Sequence, residues 1–481
     1  MLLLRLVRAL WIFGWIFASY VAFLGVRKVF RRWTRDEEGR ELPVDPAWVR
    51  RYRQAVDRRN ARRLLRGMLA LRGVYIKLGQ VLSLMGGFLP PVYGKELESL
   101  QDAVPPRPFA ELRPSFARTL GKEPEALYET IDEHPLAAAS LGQVHRARSK
   151  DGRDLAVKVL YPGIREVIAV DMRVVRLAMR AYKLFVPIQG IERVHDALVD
   201  LLGRETDYLH EAECMTRMAA NFADEDDVLF PAVVPEATSR DVLTMTFMEG
   251  FKITRFDLME QHGVDRMAVA KRLVKCFYKQ LFVDRFFHAD PHPGNFLVQP
   301  GPTPEQPRLV ILDFGAISEV PQAMVDGMID VLRGFFEGRD DLVLRGIEEI
   351  GFMAPDGDRA LLEQTVKTYF QKLLKVERTV GALRRATEKE LEALADPEVE
   401  RQELRRLMRS VRYPDGWFYV ERASVLMFWL AGQIAPDLDT LQVGLPYVLP
   451  LLAQRTAAEA SGDRGAELPE GSASETTRTV S

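Results

Sequence analysis

The sequence predicts an α+β fold with two lobes, a small β-rich lobe followed by a larger helical lobe. A lone lysine, Lys158, stands within an apolar strand pattern at residues 155–160. Asp290 and Asn295 are separated by four residues, and an Asp-Phe-Gly sequence at 313–315 follows a second apolar run. These are the spacings of the strand lysine, the catalytic loop and the metal-binding turn of protein kinases. We therefore expect a bilobal, protein-kinase-like fold.

Composition describes a globular protein with ample core, since 47% of its 481 residues are hydrophobic and 28% are charged. The net charge of −2 conceals an asymmetry, because residues 1–77 carry 18 Lys or Arg against 6 Asp or Glu. Such a basic end favours an anionic surface, either lipid or nucleic acid. Two cysteines, Cys214 and Cys276, form neither a disulfide framework nor a zinc quartet.

An uncharged stretch at residues 9–26 predicts a helix of about 27 Å, just long enough to cross a bilayer core. We expect a membrane anchor that either spans the bilayer or lies deep in its interface. A signal peptide or a buried helix is the alternative. Basic residues are denser after the stretch than before it, so we expect the inner membrane as the location, with the kinase-like domain facing the cytoplasm.

An arginine-rich helix is predicted at residues 48–72, next to that anchor. Its arginines either form a solvated face or contact anionic head groups, at about 1 kcal/mol for each basic residue near the surface. Nucleic acid is not the expected partner, because aromatic residues for base stacking are sparse here.

A second helical pattern, at residues 75–83, places Lys77 and Gln80 on one face, with Gly79 between them. Composition alone favours surface positions for both polar residues. We expect Pro90 and Pro91 to end this helix.

An alanine-rich stretch aligns with the phosphate loop of kinases, with Gly142 at its third glycine and Val144 at its valine. Ala137 and Ala139 then occupy the first two glycine positions, which predicts a stiffer loop. A plain strand-turn-strand is the alternative. The candidate nucleotide-binding residues here are Ala137, Ala138, Ala139, Ser140, Gly142 and Val144.

The predicted strand lysine needs a carboxylate partner, and Glu205, Asp207 and Glu211 supply candidates. We expect one helix from about 204 to 222, which would place Asp207 and Glu211 on a shared face near Lys77 and Lys158. Both Glu211 and Glu205 remain candidates for the partner of Lys158.

Downstream, an apolar strand at 242–248 leads to a hinge at Glu249, and a long helix from 264 to 286 delivers the catalytic loop. Asp290 would face the attacking group, while Asn295 and Asp313 would hold Mg²⁺. A helix starting at Pro321 leaves no room for a long activation loop, which argues against an extended peptide substrate. We expect prolines to interrupt the apolar run at 441–453, and the last residues to be disordered.

Five motifs that occur in one order resemble those of the UbiB/AarF family of atypical protein-kinase-like proteins. They are the Lys77-to-Gln80 motif, the alanine-rich loop, Glu205-Thr206-Asp207, residues 288–295 and residues 313–315. The resemblance implies use of ATP and Mg²⁺, membrane association, and support of ubiquinone or related isoprenoid-quinone biosynthesis. It also implies an N-terminal extension that covers the peptide site and brings its lysine, Lys77, towards Glu205 and Asp207. Glu211 would then be the partner of Lys158, with Glu205 as the alternative. The regulatory residues would be Lys77, Gly79, Gln80, Glu205, Asp207 and Glu211. One feature differs from the family: bacterial quinone-pathway members commonly have hydrophobic membrane segments at the C-terminus, whereas the apolar anchor of this chain lies at the N-terminus.

The expected organisation has five parts. They are a membrane anchor helix (1–33), a basic helical extension (34–120), a kinase-like N-lobe (121–250), a kinase-like C-lobe (251–455) and a disordered tail (456–481). The expected function is an atypical kinase or ATPase, with partners that are anionic lipid, isoprenoid lipid or quinone-biosynthesis enzymes. A nucleotide-switched scaffold and a small-molecule kinase are the alternatives.

Overall fold

The computed structural model describes residues 2–35, 41–71, 73–84, 90–97, 106–183, 191–353, 359–360, 363, 412 and 414–461. These fall into two compact units. The first comprises Met1–Phe251, Asn295–Gln299 and Val310–Ile317, and the second comprises Lys252–Gly294, Pro300–Leu309 and Ser318–Ser481.

Four helices open the first unit: α1 (Leu2–Phe30), α2 (Ala47–Leu71), α3 (Val74–Leu84) and α4 (Pro91–Leu97). A short ribbon of β1 (Arg32–Arg35) and β2 (Glu41–Val44) joins α1 to α2. Pro91 is the first residue of α4, a helix that the sequence did not predict, because proline is well tolerated where no N–H is needed. Among the described residues, one stretch, Leu4–Phe30, is long and apolar enough to cross a membrane.

An antiparallel sheet of four strands follows two short helices, α5 (Arg113–Leu120) and α6 (Pro124–Leu127). Its order is β3 (Thr130–Ala138), β4 (Gly142–Arg148), β5 (Asp154–Leu160) and β7 (Val242–Thr246). β5 is therefore a central strand, and its Val157 and Val159 are fully buried. This sheet together with the helices confirms the α+β prediction.

Three helices lie between β5 and β7: α7 (Ile164–Lys183), α8 (Ile191–Glu205) and α9 (Tyr208–Asn221). The prediction of a single helix from 204 to 222 is wrong, because the helix is interrupted at Thr206 and Asp207. Asp207 adopts an extended conformation and caps α9 by accepting from the His210 N–H. This break separates the acidic residues of the motif.

The remaining strands are β6 (Val228–Leu229), β8 (Phe251–Lys252), β9 (Phe286–His288), β10 (Phe296–Gln299), β11 (Arg308–Ile311) and β12 (Ile317–Glu319). β10 and β11 are neighbours, joined by the turn-rich tip that the sequence predicts.

The second unit is helical, with α10 (Phe256–Gln261), α11 (Arg266–Tyr278), α12 (Gln322–Glu337), α13 (Asp340–Ile350), α14 (Trp417–Ile434) and α15 (Thr440–Ser461). The helix expected from 264 to 286 is shorter, because α11 passes into a π-helical turn at Lys279–Val283. α12 and α13 approach closely at Gly327 and Gly346, where an added Cβ on Gly346 would lie 2.4 Å from the Gly327 oxygen.

The predicted start of a disordered tail at 456 is too early, because α15 continues to Ser461; residues 462–481 lie outside the described residues. Pro446 and Pro450 lie inside α15 and do not interrupt it. Each proline removes one backbone donor, but fully buried Val448 shows that this part of the helix is packed into the core.

Candidate active site

Lys158 lies on the central strand β5, between Val144 of β4 and Leu243 of β7. Its ammonium group donates to Glu211 Oε1 and lies 3.3 Å from Asp313 Oδ2. The three residues are separated by 53 and 102 positions in the chain, yet they meet at one point of the first unit. This ion triad contains the strand lysine, its helix partner and the first residue of the Asp-Phe-Gly turn.

Glu211 lies beside Lys158 because Asp207 caps the start of α9, and Glu211 falls in the first turn of that helix. Its side chain is 2% exposed, and Oε1 also accepts from the Phe314 N–H at 3.3 Å. A buried carboxylate is stable only when it is paired and hydrogen-bonded, and Glu211 meets both conditions. The structure thus pairs Lys158 with Glu211, not with Glu205.

The charge on Lys158 is maintained by its neighbours. Burial alone lowers the pKa of its ammonium group, but the Asp313 and Glu211 carboxylates raise the pKa well above its usual value. Lys158 is therefore cationic at physiological pH. A buried cation of this kind can contact phosphate oxygens without a further change of protonation.

Asp313 and Asn295 are adjacent in the first unit, because the Leu312 N–H donates to the Asn295 carbonyl at 3.0 Å. Asp313 Oδ1 accepts from the Gly315 N–H at 3.0 Å, and 39% of the Asp313 side chain is exposed. The described residues contain no group of three or more His, Cys, Asp or Glu that could hold a metal. Mg²⁺ commonly takes one or two protein oxygens and completes its octahedron with phosphates and waters, so Asp313 and Asn295 fit this ion.

A second ion pair, between Lys77 of α3 and Glu205 at the end of α8, lies beside the first. A Cβ added to Gly315 would lie 3.8 Å from Glu205 Cγ and 3.7 Å from Glu211 Oε2. The glycine of the Asp-Phe-Gly turn is therefore enclosed by both acidic side chains. Gly79 is buried within α3, whereas the Gln80 side chain lies outside the described residues.

Asp207 does not join this cluster. As the cap of α9 it accepts from the backbone, and its carboxylate pairs with Arg240 at 3.2 Å. The prediction that Asp207 and Glu211 share one face of a helix is therefore wrong, since Asp207 lies outside the regular helix.

The alanine-rich stretch is a tight hairpin. Ala137 pairs with Val144 and Ala138 with Gln143, and the Ala139 N–H donates to the Gly142 carbonyl at 2.8 Å. Ala137 and Ala139 are exposed and Ser140 is half-buried.

Gly142 is required by close packing rather than by a special φ angle. An added Cβ would lie 2.5 Å from the Val159 oxygen and 2.9 Å from the Tyr208 hydroxyl. Tyr208 in turn presents its ring 5.7 Å from the Lys158 ammonium. Gly142 thus lets the hairpin pack against the residues beside the lysine.

The predicted hinge residue Glu249 is exposed, and its backbone carbonyl accepts from Gln299 Nε2 at 2.8 Å. Gly250 follows with a φ of 136°, a conformation that favours glycine. The segment after β7 is therefore fixed to β10 through Gln299.

Asp290 belongs to the second unit, where Arg422 of α14 lies 2.9 Å from its Oδ2. The Arg422 side chain is 6% exposed, and among the described residues its Nε and Nη1 atoms have no hydrogen-bond partner. The ion pair with Asp290 thus holds this guanidinium through its remaining nitrogen, Nη2. Sequence reasoning missed Arg422, whose only signal was a single arginine within an apolar helical run.

The segment before Asp290 is positioned by the π-helical turn. Gln280 in that turn is buried and accepts from the His288 N–H at 3.0 Å, while the His292 N–H donates to the Asp290 carbonyl at 2.6 Å. These backbone contacts fix both sides of the aspartate.

Comparison with known proteins gives a consistent result. Residues 99–345, more than half of the chain, match the ABC1 atypical kinase-like domain. The chain is 31% identical over 419 residues to the chloroplastic protein ACTIVITY OF BC1 COMPLEX KINASE 8 of Arabidopsis thaliana, covering 82% of this chain and 54% of that protein. It is 32% identical over 329 residues to a probable protein kinase UbiB of Aeromonas hydrophila, covering 67% and 60%. The chain thus spans little more than half the length of these relatives.

A solved structure of Rv3197 with erythromycin from Mycobacterium tuberculosis has a TM-score of 0.54 and 24% identity to this chain. The match covers 84% of this chain and 99% of that one, and it shows a shared fold. The prediction of a bilobal kinase-like fold is confirmed.

Proposed function

Because this chain belongs to the ABC1 atypical kinase-like family, we propose that it binds MgATP and transfers the terminal phosphoryl group to water or to a small or lipid acceptor. The observation that supports this proposal most is the ion triad of Lys158, Glu211 and Asp313. A structural ion pair would need one carboxylate, whereas this lysine has two, and one of them is partly open to solvent.

Each residue has a distinct proposed role. Lys158, held by Glu211, contacts the α- and β-phosphates, and Asp313 with Asn295 would hold Mg²⁺. The metal would supply charge neutralisation as negative charge develops on the transferred group. Asp290, fixed by Arg422, orients the nucleophile. In such reactions positioning and electrostatics account for most of the rate acceleration.

The acceptor is proposed to be small or lipidic rather than an extended peptide. Only Ala316 separates Gly315 from β12, and α12 begins at Gln322. A chain segment this short offers no activation loop on which a peptide could dock. We further propose that the nucleotide contacts the backbone of the alanine-rich loop and Glu249.

We further propose that the protein works at the inner membrane, on its cytoplasmic side, in support of isoprenoid-quinone biosynthesis or lipid homeostasis. The apolar helix α1 and the basic helix α2 support the membrane location. The relatives named UbiB and the resemblance of the motifs support the pathway. Isoprenoid-quinone levels in a deletion strain, complemented with wild type or with Lys158→Ala, test the pathway.

Mg²⁺-dependent ATP turnover tests the catalytic proposal, with Asp290→Asn and Asp313→Asn as matched variants. We expect turnover by the wild type and a loss of at least about a hundredfold in both variants. Wild-type turnover no faster than that of the variants would contradict it. Nucleotide-dependent thermal stabilisation without turnover would instead favour a nucleotide-switched scaffold.

A further inference from the structure

Helix α1 is packed against the protein along one face and over nearly its whole length. At its start Arg5 pairs with Asp171 of α7 at 2.6 Å. Near its middle, Ser19 accepts from Asn60 at 2.6 Å. Near its end, Arg27 pairs with Asp45 at 2.9 Å.

Further contacts fill the space between these tethers. Tyr20 donates to Asp57 at 2.6 Å, and Ile12 packs over Gly67, where an added Cβ would lie 2.8 Å from Ile12 Cγ2. Because later residues of α1 meet earlier residues of α2, the two helices run antiparallel. α1 is therefore a fixed part of the first unit.

The exposed side of α1 differs from that of a water-soluble surface helix, because it is largely apolar. The polar residues Arg5, Ser19, Tyr20 and Arg27 face the protein. The opposite face is exposed and largely apolar, with Trp11 69% and Trp15 53% accessible. Two cations near the ends of α1, Arg8 and Lys28, are exposed as well. At 100° per residue this exposed face forms one stripe. We name it the apolar stripe, and its residues are Leu4, Val7, Trp11, Trp15, Ala18, Ala22, Gly25 and Val29.

Aromatic contacts extend the exposed apolar surface from α1 to α2. Phe30 packs edge-on against Trp48 with ring centroids 5.0 Å apart, and both side chains are about half exposed. Arg63 of α2 lies over the Trp15 ring at 5.7 Å. Tryptophan next to arginine is the composition that favours the boundary between head groups and acyl chains.

The charges of α2 decide between spanning the bilayer and lying on it. Because α2 runs alongside α1, a membrane-spanning α1 would carry α2 into the hydrocarbon with it. Seven arginines of α2 are exposed, namely Arg50, Arg51, Arg53, Arg58, Arg59, Arg62 and Arg66. Insertion of so many exposed cations is strongly unfavourable, whereas anionic head groups attract them.

We propose that α1 does not cross the membrane but lies in the plane of an anionic lipid surface, with the apolar stripe in the head-group and acyl boundary. This inference rests on the proposed membrane association and adds the mode and orientation of binding. The tethers between α1 and its neighbours orient the first unit with its N-terminal helices on the lipid. The buried depth expected for such a helix is about 5–10 Å.

Flotation of the full chain with phosphatidylcholine vesicles, with and without phosphatidylglycerol, tests the proposal. We expect Trp11→Asp combined with Trp15→Asp to weaken binding by about tenfold or more. Trp429→Asp, which changes a tryptophan 45% exposed on α14, is the matched control and should bind as wild type does. Arg8→Gln combined with Lys28→Gln should weaken binding to the anionic vesicles by roughly tenfold and leave binding to neutral vesicles unchanged.

Alkaline carbonate extraction of membranes carrying the full chain separates the two modes. Release of the wild type supports in-plane binding, and retention contradicts it while leaving the proposed membrane function intact. Absence of binding to any vesicle contradicts both. If variants of the apolar stripe bind vesicles normally but lose self-association, the stripe contacts a second copy of the chain and the proposal is contradicted. Unchanged thermal unfolding and MgATP affinity of each variant show that it is folded.

Discussion

Arg422 lies 2.9 Å from Asp290 across 132 residues of sequence, and both side chains belong to the second unit. The pair is largely buried, with 6% of the Arg422 side chain and 16% of the Asp290 side chain exposed. A guanidinium in this position restricts the rotation of the carboxylate that is proposed to orient the nucleophile. Arg422 is accordingly a positioning residue.

Replacing Arg422 should therefore reduce turnover more than nucleotide binding. We expect Arg422→Gln to lower kcat by about 10- to 100-fold, with the KM for ATP nearly unchanged, because a neighbour that orients a catalytic group is lost. Steady-state ATP turnover measures both constants. Arg422→Lys keeps the charge and should recover part of kcat; equal kcat in the wild type and Arg422→Gln would show that the pair has no catalytic role.

The Lys77–Glu205 pair should control nucleotide affinity through charge. Lys77→Met removes one positive charge next to the Glu205 carboxylate beside Gly315, and the added negative potential disfavours phosphates. We expect ATP affinity to fall roughly fivefold, and the double variant Lys77→Met with Glu205→Gln to recover it. Calorimetric titration of all four proteins gives the coupling energy. A double variant weaker than Lys77→Met would contradict this electrostatic explanation.

Gly142 should be intolerant of a methyl group. Gly142→Ala places a Cβ 2.5 Å from the Val159 oxygen, and we expect a loss of about 2 kcal/mol in the free energy of unfolding. Gly203→Ala is the matched control, since an added Cβ there meets no atom within 4 Å and the residue lies within α8. The control should be neutral or more stable by up to about 1 kcal/mol. Denaturant unfolding that ranks the two variants equally would overturn the packing argument.

His145 should make stability depend on pH near neutrality. Its side chain is fully buried, and its Nδ1–H donates to the Asp132 carbonyl at 2.7 Å. The Gln143 amide is fixed by the Arg107 backbone, so its Nε2–H group donates to His145 Nε2 at 2.9 Å. A second proton on the ring would face this donor. Burial lowers the pKa of His145 below 6.5, although its bond to the Asp132 carbonyl opposes the shift.

The unfolded chain therefore takes up a proton at a higher pH than the folded chain does. The stabilisation is fully present above pH 6.5 and is lost as the pH falls towards the lower folded-state pKa, by at most about 1.4 kcal/mol per pH unit. Denaturant unfolding between pH 8 and pH 5 should show the difference between wild type and His145→Gln becoming smaller on acidification. A difference that is constant or grows would contradict this assignment.

The sequence predicted the fold class, and it named most of the residues that the structure brings together, because its motifs act through local spacing. An apolar strand with one lysine and an Asp-Phe-Gly turn after a strand each specify a backbone position. Lys158 within a strand and Asp313 just after one could thus be placed before the structure was known, and the structure brings the two side chains together.

Long-range partners were not predictable in the same way. The residues alone left Glu205 and Glu211 open as partners of Lys158, because the choice depends on Asp207 ending one helix and capping the next; the family resemblance favoured Glu211. Arg422 was missed, since nothing near it in the chain indicates that its partner is 132 residues away. The exposed apolar face of α1 was also hidden, because only the contacts to α2 and α7 show which face is buried.

The most direct test of the account is the affinity of ATP measured by calorimetric titration with and without Mg²⁺, for wild type and for Asp313→Asn. If Asp313 and Asn295 hold the metal beside Lys158, Mg²⁺ should tighten ATP binding to the wild type by about tenfold or more and have little effect on the variant. Equal Kd values for the two proteins in the presence of Mg²⁺ would contradict the account.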